Sequence, residues 1–189
     1  MSLYKSKYCI GLLLVSFLGV YTSYGQELVV LGRNGSIGGL TLFGSSVAID
    51  SGSIAIGAKG IPLETRGRIH FYEKNNTIWR QISVLTAKDG TIGDFLGGSV
   101  SVSGQRAVVG ASNASSAYII EKVGGTWVEK QKIPSPNLSG DDAFGFSVKM
   151  KGETLIIGAP ADDEMGEHAG AVYVYELLDS TWTIQQKIT

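Results

Sequence analysis

The stretch Phe144-Gly145-Phe146-Ser147-Val148, with Gly158-Ala159-Pro160 beginning ten residues beyond its valine, decides how the chain reads, because it recurs. Phe43-Gly44-Ser45-Ser46-Val47 and Leu96-Gly97-Gly98-Ser99-Val100 match it position by position, and Gly57-Ala58 and Gly110-Ala111 follow at the same distance. Further along each copy, Glu73, Glu121 or Glu176 precedes a tryptophan (Trp79, Trp127, Trp182) by six residues. Leu85, Ile133 or Ile188 stands six residues beyond that tryptophan. Constant offsets in three copies define a unit of about 50 residues, a period typical of repeat architectures.

Each unit spells four short strands. In the third copy they fall at 146–150, 154–159, 171–176 and 182–188, rich in Val, Ile and Tyr and separated by Gly, Ser and Asp. The second strands (Ser-Ile-Ala-Ile-Gly-Ala, Arg-Ala-Val-Val-Gly-Ala, Thr-Leu-Ile-Ile-Gly-Ala) are nearly continuous apolar runs, the pattern of strands covered on both faces. No helix-period stripe competes. Four-stranded units of this length are the blades of a β-propeller. The expected fold is therefore all-β: three four-stranded propeller blades, a partial or open β-propeller, over 42–93, 94–141 and 142–189. A two-sheet sandwich would explain the strand count but not the repeat.

The Phe-Gly-x-Ser-Val and Ile-Gly-Ala landmarks, completed to Gly-Ala-Pro by Pro160, resemble the FG-GAP repeat of integrin alpha chains and many exported bacterial proteins. The run Val172-Tyr173-Val174-Tyr175-Glu176 ahead of Trp182 resembles the bacterial subfamily. The likeness covers about Leu42 to Thr189 and implies an extracellular binding or adhesion scaffold. In integrin-like blades calcium occupies an Asp-rich loop between the Phe-Gly strand and the Gly-Ala-Pro strand. Here that connection is a short turn, such as Asp50-Ser51-Gly52-Ser53 or Ser103-Gly104-Gln105. A calcium ion needs six to eight oxygens, which such a turn cannot supply, so the family's sites do not carry over.

One acidic loop remains. Asp162, Asp163, Glu164 and Glu167, around the permissive Gly166, are the candidate Ca²⁺ ligands of the third copy. Their spacing lacks the alternating oxygens and closing acid of an EF-hand-type loop, and a solvated acidic loop is the competing reading. The equivalent loops at 59–67 and 112–115 hold one acid and none, so any site is single. No other cofactor is expected.

Ahead of the repeats, residues 1–25 read as a signal peptide. Lys5 and Lys7 precede an apolar run from Ile10 to Val20, and Ser23 and Gly25 place small residues before a cut. That run is shorter than the roughly 20 apolar residues of a bilayer-spanning helix. Cleavage before Gln26 removes the single Cys9, which suits an oxidising compartment. The expected location is secreted, cell-surface or periplasmic, with no membrane span after cleavage. Residues 26–41 form a lead-in, in which Glu27–Leu31 looks like the lone outer strand of a missing blade.

Composition excludes much else. The net charge is −1, and loss of Lys5 and Lys7 makes it −3, against a partner held by its phosphates such as nucleic acid. One Cys and two His exclude a zinc ribbon, a disulfide scaffold and a cysteine-ligated iron–sulfur cluster. His70 sits mid-strand in the slot that Tyr118 and Tyr173 fill elsewhere, and His168 ends the acidic loop. With no P-loop or dinucleotide fingerprint, the chain reads as non-catalytic. Asp141, Asp142, Asp162 and Asp163 leave a hydrolase or lyase as the alternative, and a purely structural segment of a large surface protein as another. The repeated Trp reads as packing between blades.

Strand parity locates the working face. First-to-second and third-to-fourth turns lie at one end of each blade and are short. The other end gathers the long dissimilar loops at 59–67, 86–94, 134–142 and 160–170, where a protein or glycan ligand is expected. Three blades also fall short of the four to eight of closed propellers. A bare blade face would forfeit burial comparable with a domain's whole stability. Two chains pairing into a six-bladed ring, or a piece of a longer protein, are the expected ways out. The charge drift fits pairing: 26–92 carries seven bases and five acids, whereas 141–189 carries three and nine.

Overall fold

The computed structural model describes residues 20–23, 26–29, 41–137 and 142–189. It contains three four-stranded antiparallel sheets, each a meander of consecutive strands. Blade 1 is β3 (Thr41–Asp50), β4 (Ser53–Gly60), β5 (Arg68–Asn75) and β6 (Ile78–Leu85). Blade 2 is β7 (Leu96–Ser103), β8 (Arg106–Ala111), β9 (Ser116–Val123) and β10 (Thr126–Pro134). Blade 3 is β11 (Ser147–Lys151), β12 (Thr154–Ala159), β13 (Ala171–Leu178) and β14 (Thr181–Ile188). The described body is a partial propeller of three blades, with one short 3-10 turn at Ser112–Ala114. Among the described residues no helix is long and apolar enough to cross a membrane.

Two further strands, β1 (Val20–Ser23) and β2 (Gln26–Val29), pair with each other. Of the expected outer strand at Glu27–Leu31, residues 27–29 are described, and their partner β1 lies inside the expected signal peptide at 1–25. Residues 1–19, which hold the basic and apolar parts of the expected signal peptide, lie outside the described residues.

Blades join through two cores. Between blades 1 and 2, Phe71, Ile69 and Ala55 meet Val109, Tyr118, Ile120 and Trp127. Between blades 2 and 3, Val108, Ile119 and Ile133 meet Leu155, Ile157, Tyr173 and Trp182. Period-two alternation sends neighbouring residues of one strand to opposite faces. Val108 and Val109 are both fully buried because they face different blades. That is why the second strands read as unbroken apolar runs.

The repeated motif residues meet at these junctions. In β3 and β7 the pairing slips after Phe43 and Leu96, where a bulge holds a glycine at positive φ (Gly44, +89°; Gly97, +85°). Such a bulge turns a carbonyl out of the ladder. Gly97 O accepts the Ser46 Oγ hydroxyl at 2.9 Å, and Gly145 O accepts the Ser99 Oγ hydroxyl at 2.8 Å. A Cβ on Gly57 would lie 2.0 Å from Gly97 O, and one on Gly110 would lie 1.9 Å from Gly145 O. The Phe-Gly bulge of one blade thus seats its carbonyl in a Ser–Gly notch of the blade before.

Outer strands carry a second clasp. The residue four beyond each Trp binds the next blade's Trp backbone: Trp127 N donates to Ser83 Oγ at 3.4 Å, and Trp182 N to Gln131 Oε1 at 3.0 Å. Gln131 Nε2 returns a bond to Trp182 O at 3.1 Å. The ring of Trp127 stacks on Phe71 of blade 1, centroids 4.3 Å apart and 8° from parallel.

Candidate functional site

Antiparallel pairing gathers the long connections at one end of the blades, and neighbouring connections are hydrogen-bonded to one another rather than loose. Asn113 Nδ2 donates to Gly93 O at 2.6 Å, Ser135 N to Ser115 O at 2.8 Å, and Ala161 N to Asp142 O at 3.2 Å. Asp94 accepts the Thr91 and Leu96 N–H groups at 3.1 and 3.0 Å, which fixes the link ahead of blade 2. Loop tips on this pinned frame expose large apolar side chains: Leu63 at 94%, Met165 at 69% and Ile92 at 52%. An isolated bridge between Arg66 and Ile92 sets the first-blade loop beside the link.

Beneath the loops a Tyr–Asp–Lys arrangement occurs twice. In blade 2, Asp89 accepts Tyr118 Oη at 2.8 Å and Lys132 Nζ at 2.5 Å. In blade 3, Asp162 accepts Tyr173 Oη at 2.7 Å, Lys187 Nζ at 2.9 Å, Asn137 Nδ2 at 2.9 Å and Glu164 N at 3.2 Å. Tyr118 and Tyr173 are equivalent in the repeat, and so are Lys132 and Lys187, five residues beyond their Trp. The aspartates come from different connections, Asp89 from an interblade link and Asp162 from a second-to-third-strand loop. Blade 1 has His70 and Val84 in these places. His70 Nδ1 lies 3.1 Å from Gln81 Oε1, and its ring meets Phe43 edge-on at 5.0 Å, a packing role.

Burial pushes the Asp162 carboxyl upward, but hydrogen bonds from Lys187, Tyr173 and Glu164 N outweigh it and hold the carboxyl below its ordinary value. Burial and the Asp162 hydrogen bond raise Tyr173 to about 12. A depressed carboxylate contributes stability that is complete above its unfolded pKa, about 3.9, and is lost as pH falls through the folded value. We therefore expect acid unfolding of Asp162→Asn to show a shallower pH dependence below about pH 4 than the parent. Identical slopes in a circular dichroism titration would show that Asp162 carries no such linkage.

The four candidate cation ligands have different surroundings. Asp162 is only 1% exposed and engaged as described, and Glu164 shares its partner Lys187. Asp163 accepts His168 N at 2.6 Å and stays exposed, as does Glu167. Among the described residues no three His, Cys, Asp or Glu side chains converge to hold a metal. The Lys187 ammonium occupies the position a cation would take beside Asp162, so an ion must displace it. Millimolar Ca²⁺ or a chelator is expected to leave the melting temperature unchanged. A rise with Ca²⁺ that Asp163→Asn abolishes would establish the acidic loop as a site. Asp142 is buried and accepts Ser135 Oγ at 3.5 Å, whereas Asp141 lies outside the described residues.

A family model described as the FG-GAP repeat matches residues 79–120 and 127–175. The chain is an FG-GAP repeat protein. Each matched segment runs from the outer-strand Trp of one blade to the third strand of the next. The FG-GAP unit is thus offset from the sheets and spans a blade junction. A crystal structure of a protein from Lactobacillus plantarum superposes with a TM-score of 0.53 at 14% identity, covering 77% of this chain and 41% of that one. At that identity the likeness is one of fold, and this FG-GAP chain spans well under half of that protein's length. No curated protein matches the chain.

Proposed function

We propose that the protein is an exported, non-catalytic FG-GAP scaffold that binds a protein or glycan ligand at the cell surface through its long-loop face. The supporting observation is the set of exposed apolar tips, Leu63, Ile92 and Met165, on connections tied to one another by hydrogen bonds and the Arg66–Ile92 bridge. Exposed apolar groups on rigid supports lose little entropy on binding and gain from desolvation. The Tyr, Asp and Lys side chains available for acid–base chemistry are engaged with one another in the two Tyr–Asp–Lys nodes, which favours binding over catalysis.

Protein and glycan arrays probed with the full chain test this reading. Signals are expected to fall at least about tenfold on combining Leu63→Glu with Met165→Glu, a loss of the size found at interface anchors. Gln105→Glu on the short-turn face is expected to leave them unchanged. Blank arrays, or equal loss from the Gln105 variant, would overturn the assignment of the long-loop face.

A further inference from the structure

The two internal junctions are built from the same parts, and the chain carries the two halves of a third. On the outer side of blade 3, Ser147 and Gly158 repeat the Ser–Gly notch. A Cβ on Gly158 would lie 2.3 Å from Ser147 Oγ, and its three nearest atoms among the described residues all belong to Ser147. The notch opens into a groove lined by Phe146, Pro160, Gly170, Val172 and Ile188. At the opposite end of the chain, Gly44 has the same bulge conformation as Gly97 and Gly145, and among the described residues nothing lies within 4 Å of its Cβ position.

Exposure of equivalent residues follows the same division. Phe43 is 37% exposed where Leu96 and Phe144 are 2% and 0%. Ile49 is 67% exposed where Val102 and Met150 are 7% and 2%. On blade 3, Ile156 is 41% exposed where Ala55 and Val108 are 0%.

Polar groups match too. Glu73 of blade 1 forms an ion pair with Lys122 of blade 2. The repeat puts Glu176 in the first place on blade 3 and Lys74 in the second on blade 1. Gln186 likewise stands where Ser83 and Gln131 clasp the next Trp backbone, and Trp79 is the corresponding Trp. The acid-rich third copy and base-rich first copy add long-range attraction.

We propose that the chain associates head to tail with a second copy of itself, the Phe43–Gly44 corner of each entering the Ser147–Gly158 notch of the other. Two such junctions close six blades into a ring, a heterologous contact that terminates instead of polymerising. One bond common to both internal junctions is lost. Asp50 and Ser103 accept the turn N–H groups of Gly104 and Gly152, at 2.6 and 2.9 Å, whereas Lys151 in that place cannot accept. The intermolecular junction is correspondingly the weakest of the three. This inference concerns the blade faces and is independent of any ligand on the loops.

Sedimentation of the full chain over a concentration series tests it. A particle of twice the 20.0 kDa protomer mass is expected. Ile49→Lys and Ile156→Lys, one on each bared face, are each expected to give the protomer mass with an unchanged circular dichroism spectrum. Mixing these two variants should restore the doubled mass, because one junction between them stays intact. Lys74→Glu and Glu176→Lys should each raise the dissociation constant about threefold to tenfold, and their combination should reverse the loss. Protomer mass at every concentration would overturn the proposal. So would a doubled mass that both lysine variants leave intact, which would place association elsewhere, or open polymers in place of a closed pair.

Discussion

Replacing Gly110 with alanine is expected to destabilise the protein by about 3 kcal/mol or more, beyond the usual range for one added methyl group. The added Cβ would stand 1.9 Å from the Gly145 carbonyl oxygen and 2.3 Å from Ser99 Oγ. The serine can rotate away, but the carbonyl belongs to a bulge that anchors the start of blade 3. Relief therefore requires blades 2 and 3 to separate, which thins the core around Leu155, Ile157 and Tyr173. For a chain of this length the loss corresponds to a fall in melting temperature of about 6–12 °C. Gly104→Ala is the control. Gly104 has φ +59° and nothing within 4 Å, so its cost is backbone strain alone, about 1 kcal/mol. Calorimetry that finds the two variants equally stable would refute the notch as the constraint on Gly110.

The same notch explains why the blades were legible in the sequence. Gly57, Gly110 and Gly158 recur because a carbonyl must approach closely, and Ser46, Ser99 and Ser147 because that carbonyl needs a donor. Residues fixed by a contact between successive repeats keep constant spacing, which is what a search for periodicity detects. The strands follow from alternation within those limits. The strand-like composition of Glu27–Leu31 marks a strand, found at Gln26–Val29, but composition alone does not choose a pairing partner.

The acidic loop was less legible for a related reason. Asp162 resembles its exposed neighbours Asp163 and Glu164 in the sequence, yet it is buried because Tyr173 and Lys187 lie beneath it on strands β13 and β14. A signal was present: Lys132 and Lys187 share an offset from their Trp, and Tyr118 and Tyr173 share a strand position. The repeated Tyr and Lys implied a common anionic partner. Its position could not be read, because one copy draws the aspartate from a link and the other from a loop.

Trp127→Ala is expected to have an equal or larger effect, about 3–5 kcal/mol, the range for removing a fully buried large aromatic side chain. Trp127 is 0% exposed and lies flat on Phe71 of the preceding blade, so its loss opens a cavity between two sheets and removes a stacking contact. Stacked pairs contribute about 0.5–1.5 kcal/mol beyond their burial, which Trp127→Phe should retain in part. Trp79 provides the internal comparison, since it holds the same place in the repeat but has no preceding blade among the described residues and is only partly buried. Its alanine variant should lose less than half as much stability at dilutions where sedimentation gives the protomer mass. At concentrations that favour pairing, the same variant should weaken self-association, because Trp79 then covers the outer face of blade 3. Equal losses for Trp79→Ala and Trp127→Ala at high dilution would mean that these tryptophans stabilise their own sheets, and that their burial between blades is incidental.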